Sequence, residues 1–182
     1  RRAGALSGGM KQKLALSCAL IHRPTVLILD EPTTGVDAVS RREFWQSLRR
    51  LIKEDMTIVV STPYMDEAAM CDRVALINKG HVLAIDTPEA IRSQFPKPLL
   101  GVEFQAEVSR RYELIQQMRK LEYVESVQPF GDSLHVTLSG EQYNDGRLSG
   151  DLAELGFSEV SVTSIKAGIE DRFMNLMGAR ED

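Results

Sequence analysis

The chain has 182 residues, 43% of them hydrophobic and 26% charged, proportions close to the globular average, so it is expected to bury a core and not to be disordered. Its net charge of −4 supplies no overall basic field, which argues against nucleic acid or anionic lipid as a partner. Apolar runs such as Val26 to Leu29 fall far short of the about 20 residues that a membrane-spanning helix needs. From the N-terminal end, Ser7 can cap a helix in which Met10, Leu14, Cys18 and Ile21 share one side, and Pro24 ends it. Thr25 to Leu29 is a short apolar run with β-branched members, as expected for a strand buried on both faces, and Asp30 follows at its carboxyl end. A second helix is predicted from near Asp37, burying Phe44, Leu48, Leu51 and Ile52, and Thr57 to Val60 reads as another buried strand. Tyr64 to Cys71 is expected to be helical. Val74 to Asn78 and His81 to Asp86 read as a hairpin turned by Lys79-Gly80, after which Thr87 caps a helix with Pro88 in its first position.

Pro96-Lys97-Pro98 stops that helix and favours an extended connection, which marks the expected domain boundary. Beyond it, Val102 to Val108 alternates like a half-buried strand, Tyr112 to Leu121 has helical spacing, and Tyr123 to Phe130 is extended. Gly131-Asp132 turns into Leu134 to Leu138, a helix follows around Leu148 to Leu155, and Val160 to Ile165 closes the series. The predicted order is β-α-β-β-α-β, which suits a small ferredoxin-like α+β domain. A last helix over Gly168 to Met177 is expected to bury Ile169, Phe173 and Met177. The alternation of strands and helices over residues 1–95 is that of an α/β parallel sheet. Cys18 and Cys71 have no CxxC or histidine neighbour, so two buried thiols are expected in place of a disulfide or metal site.

Three short stretches carry chemistry. Leu6-Ser7-Gly8-Gly9-Met10-Lys11-Gln12 opens the first helix. Glycines without side chains let backbone N–H groups approach an anion, Ser7 adds a hydroxyl, and the helix N-terminus adds partial positive charge. A phosphate fits there, although an ordinary Ser-Gly-Gly turn explains those three residues equally well. Asp30-Glu31-Pro32 lies at the mouth of a buried strand, the carboxyl edge at which α/β folds bind ligands. There Asp30 is suited to hold Mg²⁺, usually through water, and Glu31 to orient or deprotonate an attacking water. In Thr33-Thr34-Gly35-Val36-Asp37, Asp37 is suited to cap the next helix, and capping alone is an even-handed reading of it.

Together these stretches resemble the cassette of ABC transporter ATP-binding subunits, a P-loop NTPase fold. Leu6 to Gln12 resembles the signature, Val26 to Glu31 the Walker B strand, Gly35 to Asp37 the D-loop, and Ser61 to Ala68 occupies the place of the switch region. The Met10-Lys11-Gln12 and Tyr64-Met65-Asp66-Glu67-Ala68 runs, with Gly168 to Gly178, are most similar to bacterial exporters of drugs, polysaccharides or membrane proteins. The resemblance implies ATP and Mg²⁺ as cofactors, with Ser7, Gly8, Gly9 and Asp37 toward nucleotide, Asp30 toward the metal and Glu31 as the catalytic carboxylate. It implies a second cassette and membrane permease subunits as partners, at the cytoplasmic face of the plasma membrane.

Two departures qualify it. No GxxxxGK[ST] occurs in the 182 residues, so the phosphate cradle and its lysine are missing. The sequence also begins without Met, directly before the signature. The chain is therefore expected to be a piece of a longer polypeptide that does not bind ATP alone: residues 1–95 the C-terminal part of a cassette, residues 100–182 an accessory domain. Second, Pro63 stands where the family has a histidine that contacts the γ-phosphate, and proline offers neither a side-chain donor nor an N–H. His22, His81 and His135 are not placed to substitute and are expected to be surface or core residues. Cassettes of this family pair head to tail, so an intact signature beside a lost switch predicts two unequal composite sites, as in a fused or heterodimeric transporter. Two other readings are weighed: a non-transport ABC ATPase acting on ribosomes or DNA ends, disfavoured by the absence of long charged insertions, and a non-catalytic interaction module. For the accessory domain, a packing or dimerising role is favoured over small-molecule sensing.

Overall fold

A computed structural model describes residues 3–52, 56–104 and 108–178, and the chain divides into two compact units, residues 1–70 and 71–182. The division falls ahead of the expected boundary at Pro96-Lys97-Pro98. In the first unit a short 3-10 turn over Ala3–Ala5 leads into α1 (Gly8–Leu20), followed by β1 (Val26–Asp30), α2 (Ala38–Ile52), β2 (Thr57–Ser61) and α3 (Met65–Ala68). β1 and β2 run parallel with Val26 opposite Thr57 and Asp30 opposite Ser61, and α1 and α2 pack on each other.

This sheet is not buried on both faces as its apolar sequence predicts. Leu27 is buried and Leu29, Ile58 and Val60 are half-buried, whereas Val26, Ile28 and Val59 on the other face are exposed, Ile28 by 74%. Side chains alternate along a strand, and the helices of this unit do not cover the second face. For the same reason the predicted stripe of α1 stands open: Met10, Leu14, Cys18 and Ile21 are exposed, while Gly9 and Leu16 are its buried residues. The expectation of two buried thiols fails at Cys18, and Cys71 is half-buried. α2 buries Phe44, Trp45 and Leu48, but Leu51 is half-buried and Ile52 is exposed at its end. α3 is one turn long, shorter than the predicted helix to Cys71.

The second unit begins with the predicted hairpin, β3 (Val74–Asn78) and β4 (His81–Asp86), turned at Lys79 and Gly80 with φ of +49° and +77°. α4 (Pro88–Ser93) is capped as predicted, its Ala90 N–H donating to Thr87 Oγ1 at 3.2 Å. Then come β5 (Leu99–Phe104), α5 (Val108–Met118), β6 (Val124–Phe130), β7 (Ser133–Leu138), α6 (Asp145–Glu154), β8 (Val160–Ser164) and α7 (Ile169–Gly178). β5 starts three residues before the predicted strand over Val102 to Val108, whose later residues 105–107 lie outside the described ones. The strand lies between β7 and β8, so both its edges are paired, and every residue of it but Glu103 is buried. The four strands pair antiparallel in the order β6-β7-β5-β8.

One face of that sheet forms a closed core. Val102, Leu114, Met118, Leu134, Val136, Leu138, Leu148 and Leu152 are at most 1% exposed, and Phe157 meets Phe104 edge to face at 5.8 Å. Tyr123 stacks on Tyr143 and donates to Asp151 Oδ2 at 2.5 Å; burial, and then the Asp151 carboxylate, push its phenol well above the ordinary value. On the opposite face α7 is tied down by Asp171, which takes His135 Nδ1 at 2.7 Å and the Gly168 N–H at 2.7 Å. Ile169 is buried as predicted, while Phe173 and Met177 are half-buried.

Candidate functional site

The Ser-Gly-Gly turn sits at the N-terminus of α1. Ser7 is extended (φ −64°, ψ 164°) and is the N-cap: its Oγ accepts from the Met10 N–H at 3.3 Å and its carbonyl from the Lys11 N–H at 2.9 Å. Ser7 and Gly8 are exposed. No acidic residue occupies the first turn, so the positive end of the helix is not neutralised locally. Gly9 is buried, and a Cβ there would lie 2.4 Å from Ser40 Cβ. Its missing side chain is thus required by packing against the start of α2, in addition to any use toward an anion.

The acidic pair stands at the carboxyl end of β1, both residues exposed. Ser61, across the ladder at the end of β2, donates its hydroxyl to Asp30 Oδ1. The same hydroxyl oxygen accepts the Glu31 N–H at 3.0 Å, and the Ser61 carbonyl receives that N–H at 3.1 Å. Thr34 Oγ1 donates to Glu31 Oε2 at 3.1 Å. Glu31 is held at φ +42°, a left-handed conformation that costs a non-glycine residue about 1–2 kcal/mol. The turn continues through Gly35 at φ +74° to Asp37. Asp37 Oδ1 accepts the N–H groups of Ser40 at 2.9 Å and Val39 at 3.1 Å, capping α2. Hydrogen bonds from the Ser40 backbone and hydroxyl hold this carboxyl below its ordinary value of 3.8. Pattern reading foresaw the cap, and the structure uses Asp37 for it.

Glu67 is the residue that sequence reading passed over. It lies in α3 with no exposed surface and takes the Thr33 hydroxyl on Oε1 and the Thr62 hydroxyl on Oε2, both at 2.6 Å. Arg41 Nε lies 3.6 Å from Oε1, with its guanidinium 4.4 Å above the Tyr64 ring. No periodicity marks an acid of this kind; the one available signal was its place in a run already singled out by resemblance. Pro63 sits in the bend between β2 and α3 beside this network. Of the histidines, His22 and His81 are exposed and His135 belongs to the α7 tie.

Among the described residues no group of three or more His, Cys, Asp or Glu side chains is placed to hold a metal. An exposed carboxylate backed by a hydroxyl fits a cation such as Mg²⁺, which keeps several waters and takes other ligands from phosphates. Among the same residues no helix is long and apolar enough to cross a membrane.

The fold is mixed α/β, with an acidic pair at the carboxyl end of a parallel strand and a Ser-Gly-Gly turn opening a helix. The family model described as "ABC transporter" matches residues 1–34. The chain is 39% identical over 178 residues to the probable multidrug ABC transporter ATP-binding protein YbhF of Escherichia coli (strain K12), covering 98% of this chain and 30% of that one. It is 45% identical over 91 residues to the Nod factor export ATP-binding protein I of Burkholderia orbicola (strain AU 1054), 50% of this chain and 30% of the relative. To the daunorubicin resistance ATP-binding protein DrrA2 of Streptomyces coeruleorubidus it is 29% identical over 187 residues, 100% of this chain and 57% of the relative. A solved structure of an ATP-binding subunit of an ABC transporter is similar at 31% identity and a TM-score of 0.45, over 51% of this chain and 39% of that one. The chain is similar to ABC transporter ATP-binding proteins over 98% of its length in one of them. It spans 30% to 57% of the length of these curated relatives.

Proposed function

We propose that the chain is part of the ATP-binding and ATP-hydrolysing subunit of an exporter-type ABC transporter, in which nucleotide binding closes a cassette dimer and hydrolysis resets it. The observation that carries this reading is the acidic pair: Asp30 and Glu31 stand exposed at the carboxyl end of β1, each fixed by hydroxyl and backbone partners. The chemistry supplied by Mg²⁺, when bound, is neutralisation of phosphate charge; Asp30 is the residue to hold it through water, and Glu31 to orient the attacking water. Exposed Ser7 and Gly8, with the N–H of Gly9, offer an anion site to the ATP of a second cassette, and Asp37 shapes the turn between the two. Membrane permease subunits are the remaining partners, which places the assembly peripherally at the cytoplasmic face of the plasma membrane. Residues 1–95 are read as the C-terminal part of the cassette. Residues 100–182 are read as a ferredoxin-like accessory domain, supported by the strand order β6-β7-β5-β8 around two covering helices.

Pro63 removes the donor that would meet the γ-phosphate, so this chain's own acidic pair serves a slow site while its signature serves a competent one. A relative in which 178 aligned residues make up 30% of the length, against 187 making up 57% in DrrA2, is nearly twice as long, which favours a fused pair of unequal cassettes. The test is ATP turnover by the full-length protein. Ser7→Arg is expected to abolish most of it and Glu31→Gln to leave most of it. The reverse pattern would show the acidic pair to be the productive site and end the unequal-site reading; no effect from either would end the ATPase reading.

A further inference from the structure

Glu67 is poorly explained as a stabilising residue. Burying a carboxylate costs several kcal/mol of hydration that a paired arginine only partly returns, and an apolar residue of similar volume often serves stability as well. What Glu67 does uniquely is bridge. Thr33 follows Glu31 by two residues on the loop after β1, and Thr62 directly follows Ser61 at the end of β2; Glu67 takes one hydroxyl from each, both 2.6 Å away. Ser61 joins the same two segments at their near side through Asp30 and the Glu31 N–H. The left-handed turn at Glu31 is therefore pinned from both sides, as a strained conformer must be if it is to persist.

We propose that Glu67 is a positioning residue which, through the hydroxyls of Thr33 and Thr62, holds the Asp30-Glu31 turn in the geometry that receives Mg²⁺-nucleotide. The proposal rests on the reading of Asp30 as the metal-facing residue. It also explains how the segment around Pro63 stays joined to the acidic loop without a histidine: the joint is made inside the protein, by Thr62, and does not depend on nucleotide.

The experiment measures dissociation of labelled ATP from the full-length protein, in excess Mg²⁺ and in EDTA, on the kinetic phase that Asp30→Asn alters. The ratio of the two rates reports how well the metal site is formed. Thr33→Val, Thr62→Val and Glu67→Gln are each expected to shrink that ratio by roughly 10- to 100-fold, the usual effect of losing a residue that orients a ligand. Thr33→Ser and Thr62→Ser, which keep the hydroxyls, are expected to preserve it. If the valine variants lower the melting temperature and raise both rates together with the ratio unchanged, Glu67 is structural only and the proposal is overturned. If Asp30→Asn alters no phase, the reading of the acidic pair fails and the proposal falls with it. Should Glu67→Gln not fold, the threonine variants decide the matter alone.

Discussion

The four-stranded sheet of the second unit and the first unit differ in whether their sequences close upon themselves. In residues 71–182 the apolar positions of three strands and two helices meet in one core, with Val102, Leu114, Val136 and Leu148 wholly buried. In residues 1–70 an equally apolar pattern leaves Ile28, Val26 and Val59 open on one sheet face and Met10, Leu14 and Ile21 open on α1. The difference teaches that hydrophobic patterning records every surface a segment must cover, including surfaces that its own neighbours in the chain do not supply. It also sets the energetic character of the site: Asp30 and Ser61 share the open face with Val26 and Ile28, so the acidic pair stands on a surface whose apolar part is unfilled.

The largest effect that would break this comparison is in the cores. Leu114→Ala is expected to cost about 2–5 kcal/mol in chemical denaturation, because it leaves a cavity in a fully buried site. Ile28→Ser, on the open face, is expected to stay within about 0.5 kcal/mol in the 182-residue chain. An equal loss at both positions would mean that the β1-β2 face is not open. The next effect concerns tight packing. Gly9→Ala is expected to destabilise by about 1–3 kcal/mol, since its Cβ meets Ser40 Cβ at 2.4 Å. Gly150→Ala, in α6 with no atom within 4 Å of the added Cβ, is expected to stabilise by about 0.5–1 kcal/mol. The smallest effect is electrostatic. The carboxyl of Asp37 is held below its ordinary 3.8 in the folded chain, so its capping contribution is complete above that pH and is lost as pH falls through the lower folded value. Melting temperatures of wild type and Asp37→Ala are expected to differ at neutral pH and to converge in acid; a gap that stays constant as the pH is lowered into strong acid would show that capping does not depend on the charge.

Much of the site was legible in the residues. Ser7 and Asp37 announce helix starts because a short acceptor side chain before a helix has one efficient use, and Asp30 follows a β-branched run that marks a strand end. The packing role of Gly9 and the left-handed turn at Glu31 were not legible, since both depend on what α2 and β2 bring against them. Glu67 was invisible for the same reason: its partners Thr33 and Thr62 lie 34 and 5 residues away in sequence, and only their meeting makes a buried acid tolerable.

Alone, then, the order of residues determined the alternation of strands and helices, the caps and the acidic rim, because each of these follows from local backbone chemistry and side-chain period. Tertiary structure decided which apolar faces were covered, where β5 began and what a buried carboxylate joins. Those outcomes depend on contacts between segments distant in the chain, whose energies no local pattern contains.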